Sequence, residues 1–216
     1  MVIAENVLCS SVKVHDELLQ DSLVMQDAQS LVEKINSGEC CRLLLAEREI
    51  QKKVKELGRQ ISRDYQDRCP LLIGVLNGGF VLMADLVREL TIDCEVDFIK
   101  ISSYGNQKKS SGKIRLDKDI DCRVENRDVI VVEDIIDSGV SAKFLRKHIS
   151  RLKPRTLRFV TLLLKPERVQ GNVNIDYVGF EIPSEFVVGY GLDFAQKLRN
   201  LRAVYILDKD SKTSPP

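Results

Sequence analysis

Short apolar runs alternate with longer amphipathic segments along most of this chain. Leu71–Leu76, Val96–Ser102, Val129–Val132 and Thr156–Leu164 carry the apolar, often β-branched pattern of strands buried on both faces of a parallel sheet. Three segments have helical spacing instead. Glu47–Tyr65 aligns Ile50, Val54, Leu57 and Ile61 on one side, Phe80–Leu90 follows the second strand, and Val140–Ile149 aligns Val140, Phe144, Leu145 and Ile149. Strand, helix, strand at these lengths implies right-handed parallel crossovers and therefore an α/β fold. Shorter strands are expected at Arg42–Leu45, Asp176–Phe180, Phe186–Val188 and Ala203–Leu207, and Ile114 and Leu116 suggest one inside the polar stretch 103–121. Ahead of this domain, residues 1–38 read as an N-terminal extension, helical within Glu17–Ile35 and ended by Ser37-Gly38.

At 216 residues the chain is long enough for one well-buried α/β domain with a small appendage. A net charge of +1 gives no global reason to expect a nucleic acid or a membrane surface as partner. The six cysteines, at 9, 40, 41, 69, 94 and 122, show no CxxC pair and no zinc spacing, which fits reduced thiols serving as small hydrophobes. Glu5 interrupts the amino terminus before any sustained apolar stretch, so no secretory signal is expected, and no run reaches the length of a membrane span. A cytoplasmic location follows, with residues 209–216 expected to be a disordered tail.

The segment Val129–Gly139, VIVVEDIIDSG, changes the picture most. The apolar run meets Glu133 and Asp134, continues through Ile135 and Ile136, and reaches Asp137-Ser138-Gly139 before Val140 opens a helix. The reading is a strand that feeds carboxylates, a hydroxyl and a glycine into a loop ahead of that helix. Adjacent carboxylates repel, so folding alone does not favour them. A Mg²⁺ ion or a diol offsets that repulsion, although an exposed strand end accommodates the pair too. The loop tips the balance. Gly139 permits a close backbone turn, Ser138 and Ser141 offer hydroxyls, and the helix start offers free N–H groups, which together suit a phosphate monoester. Acids for a ribose diol beside a nest for its 5′-phosphate describe a ribose-phosphate site.

Asn77-Gly78-Gly79 is a second strand-to-helix turn with accessible amides, and alone fits a packing turn as well as an anion site. Ser103–Arg115 contains Lys108, Lys109, Lys113 and Arg115 above Ser103, Tyr104 and Gly105. A solvated charged loop is the usual reading of such a segment, and loops this long in compact domains often act as lids.

VIVVEDIIDSG resembles the signature of the phosphoribosyltransferases, in particular the 6-oxopurine (hypoxanthine-guanine) branch. The resemblance runs in order from about residue 42 to 207. It takes in Leu76–Gly79 as a pyrophosphate loop, Ser103-Tyr104 as the start of a flexible catalytic loop, Lys165 at a strand end, and Phe180–Pro183 with Phe186–Asp193 as a purine-binding hood. It implies a type I phosphoribosyltransferase-like fold over residues 39–208, a central parallel sheet flanked by helices with a small hood subdomain and a flexible loop. It further implies purine salvage: transfer of the 5-phosphoribosyl group from phosphoribosyl pyrophosphate to N9 of hypoxanthine or guanine, with Mg²⁺, by a homodimer or homotetramer.

On that resemblance Glu133, Asp134 and Asp193 serve sugar and metal. Residues Ile135, Ile136, Asp137, Ser138, Gly139, Val140 and Ser141 cradle the phosphoribosyl group, and Asp137 acts as the base toward N7. Asn77, Gly78 and Arg199 receive pyrophosphate. Lys165, Phe186, Val187 and Asp193 hold the purine: a donor-only ammonium favours a 6-oxo over a 6-amino group, and Phe186 offers a stacking face. Asn77 stands where many members have lysine, and Ser138 where threonine is commoner. Two other readings share the fold, a catalytically inactive nucleotide-binding regulator and an enzyme that prefers xanthine.

Overall fold

The computed structural model describes residues 41–103 and 114–207. One compact unit spans 43–206 and contains every candidate site residue; a second combines 1–42 with 207–216, of which only residues 41, 42 and 207 are described. The expected helix within 17–35, Tyr104, the lysines of the candidate lid and the tail therefore lie outside the described residues.

The elements follow in the order β1 (Cys41–Leu45), α1 (Glu47–Asp64), β2 (Leu71–Leu76), α2 (Phe80–Glu89), β3 (Glu95–Ser103), β4 (Ile114–Lys118), β5 (Asp128–Ile136), α3 (Val140–Ser150), β6 (Thr156–Leu164), β7 (Tyr177–Glu181), β8 (Val187–Val188) and β9 (Val204–Leu207). Six strands form one sheet in the order β4-β3-β2-β5-β6-β7. All its neighbours are parallel except the β3–β4 pair, so β4 is an antiparallel edge on a parallel sheet. A three-stranded sheet orders β1-β9-β8. Among the described residues no helix is long and apolar enough to cross a membrane.

Helices cover both faces of the large sheet, as a parallel sheet requires. On one face Ile130 and Val132 pack with Ile50, Val54, Leu57 and Ile61 of α1 and with Leu82, Met83 and Leu86 of α2. On the other, Val129 and Val131 pack with Ala142, Leu145 and Ile149 of α3. The period-2 alternation of β5 thus divides its side chains between two cores. Leu82, Leu86, Leu145 and Ile149 are all fully buried, worth about 1.5–3 kcal/mol each relative to exposure.

One sequence expectation needs correction. The acids were expected where strand β5 gives way to a loop, but the strand continues through Glu133 and Asp134 to Ile136. Backbone pairing with β6, Glu133↔Thr161 and Ile135↔Leu163, holds this stretch extended whatever the polarity of its side chains.

Candidate active site

The register of β5 against β6 aligns Ile136 with Leu164, so the next residues on the two strands, Asp137 and Lys165, emerge side by side. Lys165 N–H donates to Ile136 O at 3.0 Å, and its Nζ donates to Asp137 Oδ2 at 2.9 Å. Lys165 is 4% exposed, and an ammonium that deep requires an anionic partner. The following turn brings Arg168 Nε within 2.5 Å of Asp137 Oδ1. That contact is ionic only, because Oδ1 accepts no aligned hydrogen bond. Two cations therefore converge on one carboxylate.

Glu133 and Asp134 leave β5 on opposite faces. Glu133 is buried and its Oε2 has no hydrogen-bond partner. Burial, reinforced by the charge of Asp134, pushes its pKa up to about 8. Asp134 keeps partial solvent contact on a pocket wall, so desolvation acts on it less completely. Burial raises its pKa to about 6, against the pull of the Ile135 and Asp134 backbone N–H groups and the charge of Arg199.

Asp134 also fixes what can occupy the turn after β2. A β-carbon at Gly78 would fall 1.7 Å from Asp134 Oδ2, and one at Gly191 would fall 2.3 Å from Gly78 O. The turn is thus wedged between the end of β5 and the segment after β8. The Leu76–Asn77 peptide in this turn is cis.

That later segment folds back on itself through Gly189–Leu192 and Phe194–Lys197 bridges. Gly191 N–H donates to Arg199 O at 2.9 Å, while Arg199 Nη1 donates to Gly191 O at 2.8 Å. Arg199 Nη2 lies 2.8 Å from Asp193 Oδ1, and Gln196 N–H donates to Asp193 Oδ2 at 2.9 Å. Buried Tyr190 anchors the segment, its hydroxyl donating to Asp85 Oδ2 on α2 at 2.7 Å.

Two adjoining cavities collect these groups. One, of about 310 Å³, is lined by Asn77, Gly78 and Arg199, by Asp134, Ile135 and Asp137, and by Lys165, Phe186, Val187, Leu192 and Asp193. The other, of about 230 Å³, is lined by Glu133–Gly139, Ser141 and Ala142. Asp134, Ile135 and Asp137 line both. Gly139 caps α3 with φ of +77°, a left-handed conformation suited to glycine, and a β-carbon there would meet Val173 Cγ2 at 2.8 Å. Val140 N–H, the first amide of α3, donates to Ser138 Oγ at 3.5 Å, and Gly139 itself supplies no side-chain cap to the amides that follow.

Every predicted residue except Ser103, Tyr104 and Val140 lines one of these cavities. Val140 begins α3 beside the smaller one, Ser103 ends β3, and Tyr104 is outside the described residues. Sequence reasoning missed Arg168. Arg168 follows Lys165 by three residues across a turn, a spacing that returns a side chain to the same side, and that was its only signal. Larger clefts lie elsewhere, about 590 Å³ beside α1 and α2, but they hold none of these groups. Convergent chemistry rather than volume marks the site.

Comparison with known proteins agrees with this geometry. The model of the phosphoribosyl transferase domain matches residues 43–195. The chain belongs to the phosphoribosyltransferase family. It is 47% identical over 166 residues to the hypoxanthine-guanine phosphoribosyltransferase of Bacillus subtilis (strain 168), a match covering 77% of this chain and 92% of that protein. A 46% match over 166 residues to the bifunctional protein TilS/HprT of Listeria monocytogenes serotype 4b (strain F2365) covers 77% of this chain and 26% of that protein. A crystal structure of a hypoxanthine-guanine phosphoribosyltransferase from Bacillus anthracis superimposes with a TM-score of 0.75 at 49% identity, covering 79% of this chain and all of that one. That structure holds a HEPES molecule in its active site. The phosphoribosyltransferase fold expected from the sequence is the fold observed, and every residue that lines the two cavities except Arg199 lies within residues 43–195.

Proposed function

We propose that this chain is a purine-salvage hypoxanthine-guanine phosphoribosyltransferase, joining N9 of a 6-oxopurine to the phosphoribosyl group of phosphoribosyl pyrophosphate and releasing pyrophosphate. The observation that carries the reading is the adjoining pair of cavities, one a helix-start anion cradle, the other holding Lys165, Asp137 and Phe186, with the acids of β5 between them.

In this reading the 5′-phosphate lies on the N–H groups and hydroxyls of Ser138–Ser141, with Ile135, Ile136 and Val140 giving that loop its backbone. The pyrophosphate takes Asn77 and Gly78 amides and the guanidinium of Arg199. Phe186, 52% exposed, covers the purine, and Val187 and Asp193 supply carbonyl oxygens for a 2-amino group. Lys165 donates to the 6-oxo oxygen. Asp137 accepts the proton from N7 as N9 attacks C1′, the C1′–O bond to pyrophosphate breaks, and the electron pair leaves with pyrophosphate. Positive character on the ribose during this step is stabilised by the carboxylates of β5.

Among the described residues no three acids converge on one point, but Glu133 Oε2 is buried without a hydrogen-bond partner and Asp134 and Asp193 share only the charge of Arg199, so a hydrated Mg²⁺ would be held by one or two of these three carboxylates together with substrate phosphates. When bound, Mg²⁺ neutralises charge on the leaving pyrophosphate. The flexible loop expected to begin at Ser103 and Tyr104 would exclude water during the reaction; past Ser103 it lies outside the described residues. A cytoplasmic homodimer or homotetramer completes the reading, with residues 39–208 as the catalytic domain, and light scattering tests the assembly.

Steady-state turnover with hypoxanthine, guanine, xanthine and adenine decides. IMP and GMP formation is expected; no turnover with any base would overturn the enzyme reading and leave the nucleotide-binding regulator.

A further inference from the structure

Helix α1 carries Arg48, Lys52, Lys55, Arg59 and Arg63. At 100° per residue these five fall within about 80° of arc, and no acidic residue shares that arc. All five are exposed, and none makes a side-chain hydrogen bond or ion pair among the described residues. The cations that do have partners lie off the stripe: Lys53 pairs with Glu56 at 2.7 Å, and Arg88 pairs with Asp85.

The stripe borders two open clefts in series. Arg48, Lys52 and Lys55 line the one of about 590 Å³, together with Asp85, Arg88 and Glu89 from α2. Arg59 and Arg63 line the next, of about 480 Å³, with Ser62, Gln66 and Thr91. From Arg48 to Arg63 the row is about 22 Å long. The net charge of +1 conceals it. Residues 1–40 hold seven Asp and Glu against two Lys, so residues 41–216 carry a net +6.

What fits such a surface is set by what it lacks. Among the described residues the exposed large hydrophobic ones are Leu43, Phe80, Val96, Leu152 and Phe186, and none of them lies on α1 or lines either cleft. A helical protein partner needs apolar anchors in a groove, and a membrane-surface helix needs an apolar face. The phosphate backbone of a nucleic acid needs neither, since its non-specific binding is essentially all electrostatic. Absence of aromatic residues from the cleft linings also removes the stacking platforms that single strands use.

We propose that the α1 stripe is a sequence-independent binding surface for the backbone of double-stranded nucleic acid, separate from the active site and spanning about 6–7 base pairs at 3.4 Å per step. Exposed Gln66 supplies a neutral hydrogen-bonding group of the kind that phosphate contacts use.

The test is fluorescence anisotropy of a labelled 20-base-pair DNA duplex with the full chain, titrated from 50 to 200 mM salt. Five neutralised phosphates predict a slope of about −4.5 in log K against log salt, an affinity loss of about 500-fold over that range. Lys52→Gln/Arg59→Gln is expected to reduce the slope to about −2.7, and Lys52→Glu/Arg59→Glu to abolish binding. Purine turnover should stay unchanged in both, since neither residue lines the active-site cavities. No binding at 50 mM salt, or binding equal in wild type and both variants, would overturn the proposal. So would displacement of the duplex by pyrophosphate at constant ionic strength, which would assign binding to the active site. Tighter capture of polyglutamate, or of vesicles containing phosphatidylserine, would likewise reject a nucleic acid in favour of that partner.

Discussion

Lys165 Nζ and Asp137 Oδ2 sit 2.9 Å apart at the ends of paired parallel strands, with the lysine buried and the aspartate open to both active-site cavities. The residue proposed to read the purine and the residue proposed to take its proton are thus held by one another. Substitution should separate their roles. Asp137→Asn keeps a hydrogen-bond acceptor for Lys165 but removes the base, and is expected to lower kcat by about 10²–10⁴-fold while KM for phosphoribosyl pyrophosphate changes little. Equal losses in both parameters would contradict the assignment.

Lys165→Gln should act on base choice. A charged donor lost from the 6-oxo group costs about 1.5–3 kcal/mol, so kcat/KM with hypoxanthine should fall about 10–150-fold. The amide offers an acceptor as well as donors, so the ratio of hypoxanthine to adenine turnover should narrow. A ratio that stays fixed would remove Lys165 from base recognition.

Arg168 is half exposed, so its charge on Asp137 is screened by water. Arg168→Gln is expected to cost about 1 kcal/mol in the chemical step, or about fivefold in kcat. Arg168→Lys should restore part of the loss. Turnover kinetics on the two variants check this, and wild-type kcat in Arg168→Gln would dismiss the contact as incidental.

Gly78→Ala and Gly139→Ala should fail for different reasons. The first drives a methyl into Asp134, and displacement of the pyrophosphate turn by about 1 Å is expected to cost about 100-fold in kcat/KM. The second forces a left-handed φ on alanine and crowds Val173, costing about 1–2 kcal/mol of stability before any effect on phosphate binding. Urea denaturation should therefore detect Gly139→Ala, and phosphoribosyl pyrophosphate kinetics Gly78→Ala.

Glu133 gives stability of the unliganded protein a dependence on pH. Its folded pKa, about 8, lies above the ordinary carboxylate value. The unfolded chain then loses this proton at lower pH than the folded one. The associated stability is complete below the unfolded pKa of about 4.3 and is lost as pH rises toward 8. In chelator-treated protein, urea midpoints should decline across that window in wild type and decline less in Glu133→Gln. Parallel pH profiles would show that Glu133 ionises freely in the fold.

Much of this architecture was legible because buried parallel strands leave an unmistakable apolar record. Leu71–Leu76 and Thr156–Leu164 were expected at the bounds the structure gives them. Glu133 and Asp134 were harder to place, since their polarity reads as the end of a strand while the ladder to β6 keeps them inside it. The acids, the loop after β5, Lys165 and Phe186 were singled out from motifs, and the structure brings them to the two cavities. Arg168 and the Tyr190–Asp85 bond were not, because each depends on an approach between segments that only tertiary packing creates. The α1 stripe escaped notice for a different reason: a sum over the whole chain cancels it.

The pairing of Ile136 with Leu164 has a bearing on how this enzyme can be altered. Strand residues step by about 3.3 Å and alternate sides, so a slip of one position would carry Lys165 away from Asp137 and turn it to the opposite face. On the proposed roles, acceptor choice is tied to the register of two core strands, whereas the turns proposed to hold phosphate are short connections beyond the strand ends. Engineering that grafts new turns should retune how the sugar donor is held and leave the preferred nucleobase untouched; changing the nucleobase means rebuilding around that seam.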